Sequence, residues 1–414
     1  MKISVIDSNY SDRKYSGLAA SWLRWELSNA GIKECSPLTA DYLLCTVSSQ
    51  QGISDLKREI KKTGNGTAKI ILGGGGCWGP AVFENIADYI CVGEGQNFIR
   101  SFIFGGIDAI RNLPETWIKG ETKKVVPSDS FPWDCPPLNH PDGTVRVWGA
   151  RGCKKKCLFC QTGWEQTYSP SKNNIMLQNQ IDYLLKVGRR VAVITNDGAE
   201  ETVKIHGQQE FLSVSYEFLK EMEINRNITK SVRIGVEGVS ERLRNAVKKP
   251  VDNDGLLKLT KKCLSAGVGV RWFFIAGLPF ETENDWNELK YLVLNLHGID
   301  KGVVMLNFHA YIPQPATPLS VLPVVDEYWE WFDNFRTWFF NGPGFTRHVQ
   351  IVSPAQYKGR MERSCESMAA SEQEIRSGWF EKDNKNWRVK YLLSPYNLRT
   401  VAKKYKNELC QDVE

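Results

Sequence analysis

Three cysteines, Cys153, Cys157 and Cys160, lie in a Cys-x3-Cys-x2-Cys spacing directly after a short apolar run at 145–148. Thiolates are soft ligands, and three of them on one short loop converge on a point where they can bind a soft metal. Ordinary iron–sulfur clusters take four cysteines. Three cysteines therefore predict a cluster in which one iron has no protein ligand, as catalysis at a cluster requires.

Two other uses of the cysteines are open. A structural zinc site usually takes four protein ligands in paired Cys or Cys/His sets, and the chain has no second pair of that kind. A disulfide framework needs an oxidising compartment, whereas Met1-Lys2 leads straight into an apolar strand without a signal peptide. The chain has 11 cysteines, and Cys45, Cys91 and Cys263 stand singly in apolar surroundings. They are typical of core residues in a reduced, cytoplasmic protein.

Residues 1–105 alternate between strand and helix signals. Strands are expected at 3–6, 42–47, 68–72 and 89–92, and helices at 21–27 and 53–60. Apolar strands separated by helices predict an α/β fold with a doubly wound parallel sheet, here one strand short. Ligands bind such sheets at the carboxyl ends of the strands, where the glycines at 73–76 would let a backbone approach a ligand closely.

A second strand–helix unit is expected after a proline-rich connector at 106–144. Within 145–320, strands are expected at 145–148, 191–195, 232–236, 268–275 and 303–308, with a weak sixth between 202 and 216. This repetition predicts a parallel barrel or partial barrel, whose active site would lie at the carboxyl ends of the strands. The site candidates there, besides the cysteines, are Asn196, Asp197, Glu237, Gly277 and His309.

Several candidates also have a purely structural explanation. Glu237 is compatible with a buried salt bridge to Arg233 or Arg271, and His309 is compatible with a hydrogen-bonded core histidine. The lysines at 154–156 are either a solvated charge run or a counterweight to the negative charge of thiolates and cluster.

The composition is that of an ordinary globular enzyme with two or three cores. The chain has 414 residues, 42% of them apolar, a net charge of +6 and a mean hydropathy of −0.35, with no apolar run long enough for a membrane span. Residues 321–414 are expected to be mainly helical, with aromatic residues at helical spacing from 329 to 340. Basic residues between 382 and 406 are interleaved with Trp387, Tyr391, Tyr396 and Tyr405. That pattern suits nucleic-acid contact, and a solvated helix explains it equally.

The cysteine loop resembles that of the radical S-adenosylmethionine (SAM) superfamily, in which an aromatic residue such as Phe159 often precedes the last cysteine. Segments 233–244, 275–282 and 313–319 are similar to the regions around strands four to six of that family's (β/α)6 partial barrel. The resemblance implies that Cys153, Cys157 and Cys160 hold a [4Fe-4S] cluster and that SAM binds the fourth iron.

The resemblance also implies SAM contacts at particular strand ends. Glu237 would reach SAM, and the segment containing Gly277 would lie beside the adenine, with His309 at the end of the last strand. Two departures from the family pattern are present. Asn196-Asp197 stands where the family has a Gly-Gly-Glu motif, and Phe280 replaces a usual glycine.

Residues 1–105 resemble the cobalamin-binding-type domain that precedes the radical domain in many of these enzymes. The matching pieces are Gly73-Gly74 after a strand and the segment 88–95. The Asp-x-His-x-x-Gly motif that supplies a cobalt ligand elsewhere is missing, since Asp7-Ser8-Asn9-Tyr10 follows the first strand. The resemblance implies cobalamin binding; the alternative is a degenerate sheet that only supports the neighbouring domain.

The function implied is reductive cleavage of SAM at the cluster to a 5′-deoxyadenosyl radical, which removes hydrogen from a substrate carbon. An electron donor such as flavodoxin or ferredoxin is then implied, with a small-molecule, nucleotide or nucleic-acid substrate and no membrane partner. A cobalamin-dependent radical methyltransferase is the first alternative, and a non-enzymatic nucleic-acid-binding protein with a structural cluster is the second. Methylthiolation is disfavoured because the N-terminal segment has no second cysteine trio for another cluster.

Overall fold

The structure is a computed structural model of the 414-residue chain. It describes residues 1–8, 17–48, 52–64, 66–121, 124–129, 131, 135–139, 143–165, 168–170, 174–194, 212–213, 215–297, 299, 301–311, 314, 317–322, 325, 327–344, 347–352, 403–407 and 409. None of the helices in these ranges combines the length and apolarity that a membrane crossing requires.

A five-stranded sheet forms the N-terminal part of the chain. Its elements are β1 (Ile3–Asp7), α1 (Leu18–Asn29), β2 (Tyr42–Thr46), α2 (Ile53–Lys62), β3 (Lys69–Gly73), β4 (Tyr89–Cys91), α3 (Gln96–Arg111) and β5 (Thr116–Ile118). The strands lie in chain order, with β1 to β4 parallel and β5 antiparallel to β4. The parallel sheet expected from the sequence is present.

Both faces of this sheet are covered because successive strand residues point to opposite sides. Leu44 and Ile71 pack against α1 and α3 on one face. Their neighbours Leu43 and Leu72 face the opposite core, which contains Ile53 of α2. Helices therefore cover the sheet on both sides, and the carboxyl ends of the strands remain available to form a site.

The outer edge of β1 is covered by the chain that follows α1. The Cys35 amide donates to the Ile3 carbonyl at 2.9 Å. The Val5 amide donates to the Glu34 carboxylate at 2.9 Å, and Arg24 pairs with that carboxylate. The sequence predicted a sheet that is one strand short. At this edge an irregular segment takes the place of a strand and forms hydrogen bonds with two backbone groups of β1.

The N-terminal sheet extends beyond residue 105, where its end was expected. Helix α3 continues to Arg111, and β5 adds the antiparallel edge strand. Gly106 does leave helical geometry, with φ 66°, but the helix resumes after it.

The second half of the chain repeats strand and helix. Its elements are β6 (Leu138–Asn139), β7 (Thr144–Trp148), β8 (Ala150–Arg151), α4 (Thr162–Glu165), β9 (Ser169–Pro170), α5 (Asn174–Lys186), β10 (Arg190–Ile194), β11 (Leu212–Ser213), α6 (Tyr216–Glu221), β12 (Ser231–Glu237), α7 (Glu241–Ala246), α8 (Asn253–Ser265), β13 (Gly269–Ala276), α9 (Glu283–Leu294), β14 (Val304–Ala310), α10 (Tyr328–Asn341) and β15 (Val349–Val352). Strands β11 to β15 form a parallel sheet in chain order, and β7 pairs in parallel with β10. The weak strand expected between 202 and 216 is β11.

The strands of the second parallel sheet alternate between a helix-facing side and the opposite side. Val232, Ile234 and Val236 are at most 1% exposed and pack beneath the helices, whereas the residues between them are half-buried. Strand β13 alternates in the same way. The side of β12 opposite the helices therefore presents Arg233, Gly235 and Glu237.

The C-terminal region is not only helical. Helix α10 packs its buried aromatic face on the barrel, with Phe335 next to Trp286 and Phe308 at centroid distances of 5.7 and 5.6 Å. Strand β15 then pairs in parallel with β14 and extends the sheet. The sequence missed β15 because Val349–Val352 is too short to give a clear pattern.

Candidate active site

The cysteine loop runs between β8 and α4. Cys153 and Cys157 are buried, and Cys160 is half-buried. The loop backbone is fixed at two points: the Leu158 amide donates to the Val247 carbonyl at 3.1 Å, and the Leu158 carbonyl accepts from the Leu319 amide at 3.3 Å. Phe159 is partly buried and packs against the barrel core. The loop is therefore held against the end of α7, the helix that follows β12.

An ion pair lies beside these cysteines. The Nζ atom of Lys249 is 3.7 Å from Oε1 of Glu237, at the carboxyl end of β12. Both groups lie over Gly235, since a Cβ built there would meet the Glu237 carboxylate and come within 3.4 Å of the Lys249 ammonium. The structural alternative for Glu237 was a salt bridge to Arg233 or Arg271, but Glu237 pairs with Lys249, and the two arginines lie side by side in register on β12 and β13.

Two residues of this site adopt left-handed backbone conformations that residues other than glycine rarely take. Glu237 has φ 74° and Lys248 has φ 60°. Each costs about 1–2 kcal/mol relative to an ordinary conformation. A register shift between Gly235 and Glu237 accompanies the first. Such strain persists where surrounding contacts over-determine it, and functional sites are where it is commonly found.

A buried arginine holds the backbone that carries Lys248 and Lys249. Arg244 is 0% exposed, and its guanidinium donates to the carbonyls of Gly238 (3.2 Å) and Val251 (2.6 Å). These carbonyls lie on either side of α7. Burial lowers the pKa of Arg244 to about 10, so the group remains charged at neutral pH. Arg244 thereby fixes both the turn after β12 and the segment after α7.

The charges at this site influence one another. Burial raises the pKa of Cys157 to about 11, while the Lys249 ammonium acts in the opposite direction. Burial also raises the pKa of Glu237, again opposed by Lys249. For Lys249, burial disfavours the ammonium, but the charges of Glu237 and the thiols raise its pKa above the ordinary value. A cation is therefore held next to the cysteines in a poorly solvated place.

The three thiols do not form a ready-made metal site. Within the part of the chain that the structure describes, no three His, Cys, Asp or Glu side chains are arranged to hold a metal ion. The Cys157 thiol donates to the Lys248 carbonyl at 3.5 Å. The assignment of the three cysteines to one cluster stays a prediction.

The lysines inside the loop all have close partners. Lys155 pairs with Glu217, and Lys156 donates to the Gly163 carbonyl at 2.6 Å. Lys154 lies 4.9 Å from the centre of the Tyr168 ring. Lys155 also lowers the pKa of Cys157, but Lys249, which the sequence analysis did not single out, lowers it more.

The turn after β13 is built around the buried carboxyl group of Glu281. Glu281 accepts the amides of Gly277 (3.0 Å) and Leu278 (3.3 Å) and the Trp286 indole N–H (2.8 Å). Gly277 has φ 83°, and Phe280, which stands where a glycine is usual in the family, also has a positive φ of 64°. Phe280 therefore adopts the backbone conformation that glycine would take.

Tyr405 packs against this turn from the far end of the chain. It is 1% exposed, donates to the Pro279 carbonyl at 2.8 Å and lies beside the Phe280 ring. The sequence analysis grouped it with aromatic residues that would stack on bases, and its burial contradicts that role. Trp387, Tyr391 and Tyr396 lie outside the described residues.

The remaining barrel candidates differ in how far the structure describes them. His309 is half-buried on β14, and its ring stacks on Phe273 of β13 with centroids 5.9 Å apart. Asn196 and Asp197 lie outside the described residues. The structure thus places the Glu237 carboxylate where its charge acts on Cys157, and all the SAM contacts stay predictions.

A cavity of about 780 Å³ opens at the carboxyl ends of the N-terminal strands. Asp7, Gly73, Gly74 and the apolar Trp22 line the sheet side. The absence of a side chain at Gly74 is first of all a packing requirement. Its φ is 110°, and a Cβ would collide with the Val47 carbonyl. The glycine turn therefore folds tightly onto β2 and forms the floor of the cavity.

The comparisons with known proteins point to one superfamily, although no family model matches the chain. The chain is 21% identical over 192 residues to the ribosomal protein uS12 methylthiotransferase RimO of Clostridium botulinum, covering 40% of this chain and 43% of that protein. It is 24% identical over 276 residues to an uncharacterised protein of Methanocaldococcus jannaschii, covering 59% and 60%. The chain spans about half the length of the curated relatives it matches.

Two solved structures share the fold. The radical SAM methyltransferase TsrM of Kitasatospora setae, with cobalamin and a [4Fe-4S] cluster bound, superposes with a TM-score of 0.53 at 12% identity, over 78% of this chain and 74% of that one. The cobalamin-dependent radical SAM enzyme OxsB gives 0.51 at 14% identity, over 73% and 53%.

The chain therefore shares the fold of these cobalamin-dependent radical SAM enzymes over about three quarters of its length. The donor chemistry of the cysteine loop fits an iron–sulfur cluster, because three thiols share one loop and a cation lies beside them. The cavity at the N-terminal sheet is within the size range of small-molecule and cofactor sites.

Proposed function

We propose that the protein is a cobalamin-dependent radical SAM enzyme that modifies a carbon centre of its substrate. The observation that carries this proposal is the 780 Å³ cavity, because its walls come from the N-terminal sheet and from the cysteine loop together. A sheet that only supported its neighbour would not need a cavity at its strand ends that reaches the cluster loop.

Cys153, Cys157 and Cys160 would hold the [4Fe-4S] cluster, which, when bound and reduced, would supply one electron for cleavage of the C5′–S bond of SAM to methionine and a 5′-deoxyadenosyl radical. Glu237 and Lys249 lie within reach of that position and offer one anion and one cation, as the amine and carboxylate of a bound amino-acid group require. The turn from Gly277 to Glu281 is rigid and would orient the adenosyl group. An electron donor such as flavodoxin or ferredoxin completes the proposal.

The described residues of this chain do not support methylthiolation, the activity in the printed name of the RimO relatives. Cys45, Cys77 and Cys91 of the N-terminal domain are each buried among apolar side chains. Burial raises the pKa of Cys45 and Cys91 far above that of an exposed thiol. They are core residues and would not bind a second cluster as thiolates.

The test is anaerobic reconstitution of the full chain with iron and sulfide, followed by two measurements. The first is the absorbance of added hydroxocobalamin that stays with the protein through gel filtration. The second is 5′-deoxyadenosine formed after reduction with SAM, with Cys157→Ala as the matched control. Retained cobalamin together with deoxyadenosine that disappears in the control is expected. Full iron loading without either signal would overturn the proposal.

A further inference from the structure

The cavity touches both ends of the cysteine loop. Arg151 precedes Cys153 by two positions, and Gln161 directly follows Cys160. Arg151 and Gln161 both line the cavity. The cavity wall and the cluster loop are therefore one continuous stretch of chain.

Arg151 joins the start of the loop to the N-terminal sheet. Its guanidinium donates to Oε1 of Glu94, from Nε at 3.0 Å and from Nη2 at 2.5 Å. The rings of Phe131 and Trp148 lie 4.7 and 4.8 Å from the guanidinium carbon. The two charged side chains are only 18% and 11% exposed, so this charge pair is largely shielded from solvent.

Gln161 joins the end of the loop to the same sheet. Its Nε2 donates to the Gly75 carbonyl at 2.7 Å. Gly75 belongs to the glycine turn after β3, and Glu94 lies in the turn after β4. Both partners line the cavity. We name the two contacts, Arg151–Glu94 and Gln161–Gly75, the loop clamp.

We propose that the loop clamp couples occupancy of the cavity to the position of the cysteine loop. A molecule that fills the cavity packs on both clamp contacts and so restrains the three cysteines between them. By linkage, a cluster that fixes the loop raises the affinity of the cavity for its ligand by the same factor. Arg151, Glu94 and Gln161 are thus positioning residues. The inference rests on the proposed function in taking cobalamin as the ligand.

The first experiment needs no cluster. Iron-free full chain is treated with iodoacetamide in the dark, with and without methylcobalamin, and alkylation of Cys153, Cys157 and Cys160 is followed by peptide mass spectrometry. Half-buried Cys35, outside the cavity lining, is the internal reference. Methylcobalamin is expected to slow alkylation of the loop cysteines at least fivefold and to leave Cys35 unchanged.

Three variants test the clamp itself. Gln161→Ala removes one contact of the loop clamp and leaves the buried Arg151–Glu94 ion pair in place, so the variant is expected to fold. Gln178→Ala, on α5 away from the cavity, is the matched control. The double variant Glu94→Gln with Arg151→Gln removes the charges as a pair. Protection is expected to fall to less than twofold in Gln161→Ala and in the double variant and to persist in Gln178→Ala.

The reciprocal experiment compares methylcobalamin binding to iron-free and cluster-loaded protein. The dissociation constant is expected to be at least fivefold lower with the cluster in wild type and nearly equal in Gln161→Ala. If methylcobalamin binds and Gln161→Ala retains full protection and the same ratio, the coupling is refuted while the cobalamin site stands. If methylcobalamin does not bind wild type, both the cobalamin assignment and the coupling are refuted.

Discussion

The glycine that follows β13 offers a quantitative test of how the candidate site is packed. Gly277 has φ 83°, and a Cβ at this position would lie 2.6 Å from Cδ1 of Tyr328 and 3.0 Å from two further ring atoms. The left-handed backbone alone costs an alanine about 1–2 kcal/mol. Tyr328 is 1% exposed, so its ring has little room to move, and overpacking adds about 1–3 kcal/mol. Gly277→Ala is therefore expected to destabilise the barrel by about 2–5 kcal/mol.

Gly267→Ala is the matched control for the backbone term. Gly267 precedes the same strand at φ 72°, but its nearest neighbour would be Cδ of Arg226 at an ordinary 3.7 Å. Urea unfolding of the iron-free protein, followed by tryptophan fluorescence, should give about 1–2 kcal/mol for Gly267→Ala and a clearly larger loss for Gly277→Ala. Equal losses for the two variants would show that the contact between Gly277 and Tyr328 is not tight, and the reasoning would fail.

Three further outcomes are expected. Asp285→Asn leaves the Arg242 guanidinium without its buried carboxylate partner, 2.6 Å away, and should cost about 3–5 kcal/mol in urea unfolding; a loss below about 1 kcal/mol would contradict the assigned pair. Burial raises the pKa of Glu281 to about 8, so the neutral acid is favoured in the folded state. Its stabilising contribution is present below the ordinary carboxyl range and is lost as the pH rises toward about 8, by at most about 1.4 kcal/mol per pH unit. Glu281→Gln should lack this slope in unfolding free energies measured from pH 5 to 9, and a slope equal to wild type would refute the assignment. Phe335→Ala should cost about 3–5 kcal/mol in thermal unfolding because Phe335 is fully buried against Trp286, and an unchanged melting temperature would show that α10 does not dock there.

The strands and the cysteine loop were predictable because their signals are local. Apolar runs such as Tyr42–Thr46 carry a strand pattern in a few residues, and the spacing from Cys153 to Cys160 needs no tertiary information. Strand β15 and the continuation of α3 past Gly106 were missed. Both depend on neighbouring elements that override weak local preferences.

The partners at the site were not predictable for a related reason. Glu237 was recognised as the end of a strand, but nothing near it in the sequence indicated that Lys249 would be its partner. The chain reverses direction through α7, and this reversal brings Lys249 close to Glu237. The sequence analysis made no prediction for Lys248 or Lys249. Likewise, Glu94 and Arg151 are far apart in the sequence, and only the docking of the two domains makes them an ion pair.

The segment that covers the edge of β1 has a consequence for the behaviour of the protein at high concentration. An uncovered edge strand offers unpaired N–H and C=O groups to any other strand, which is a common route to aggregation. Here the Cys35 amide donates to the Ile3 carbonyl, and the Glu34 carboxylate accepts from the Val5 amide, so neither backbone group is offered to another strand. This edge of the sheet is therefore protected against self-association without a further strand.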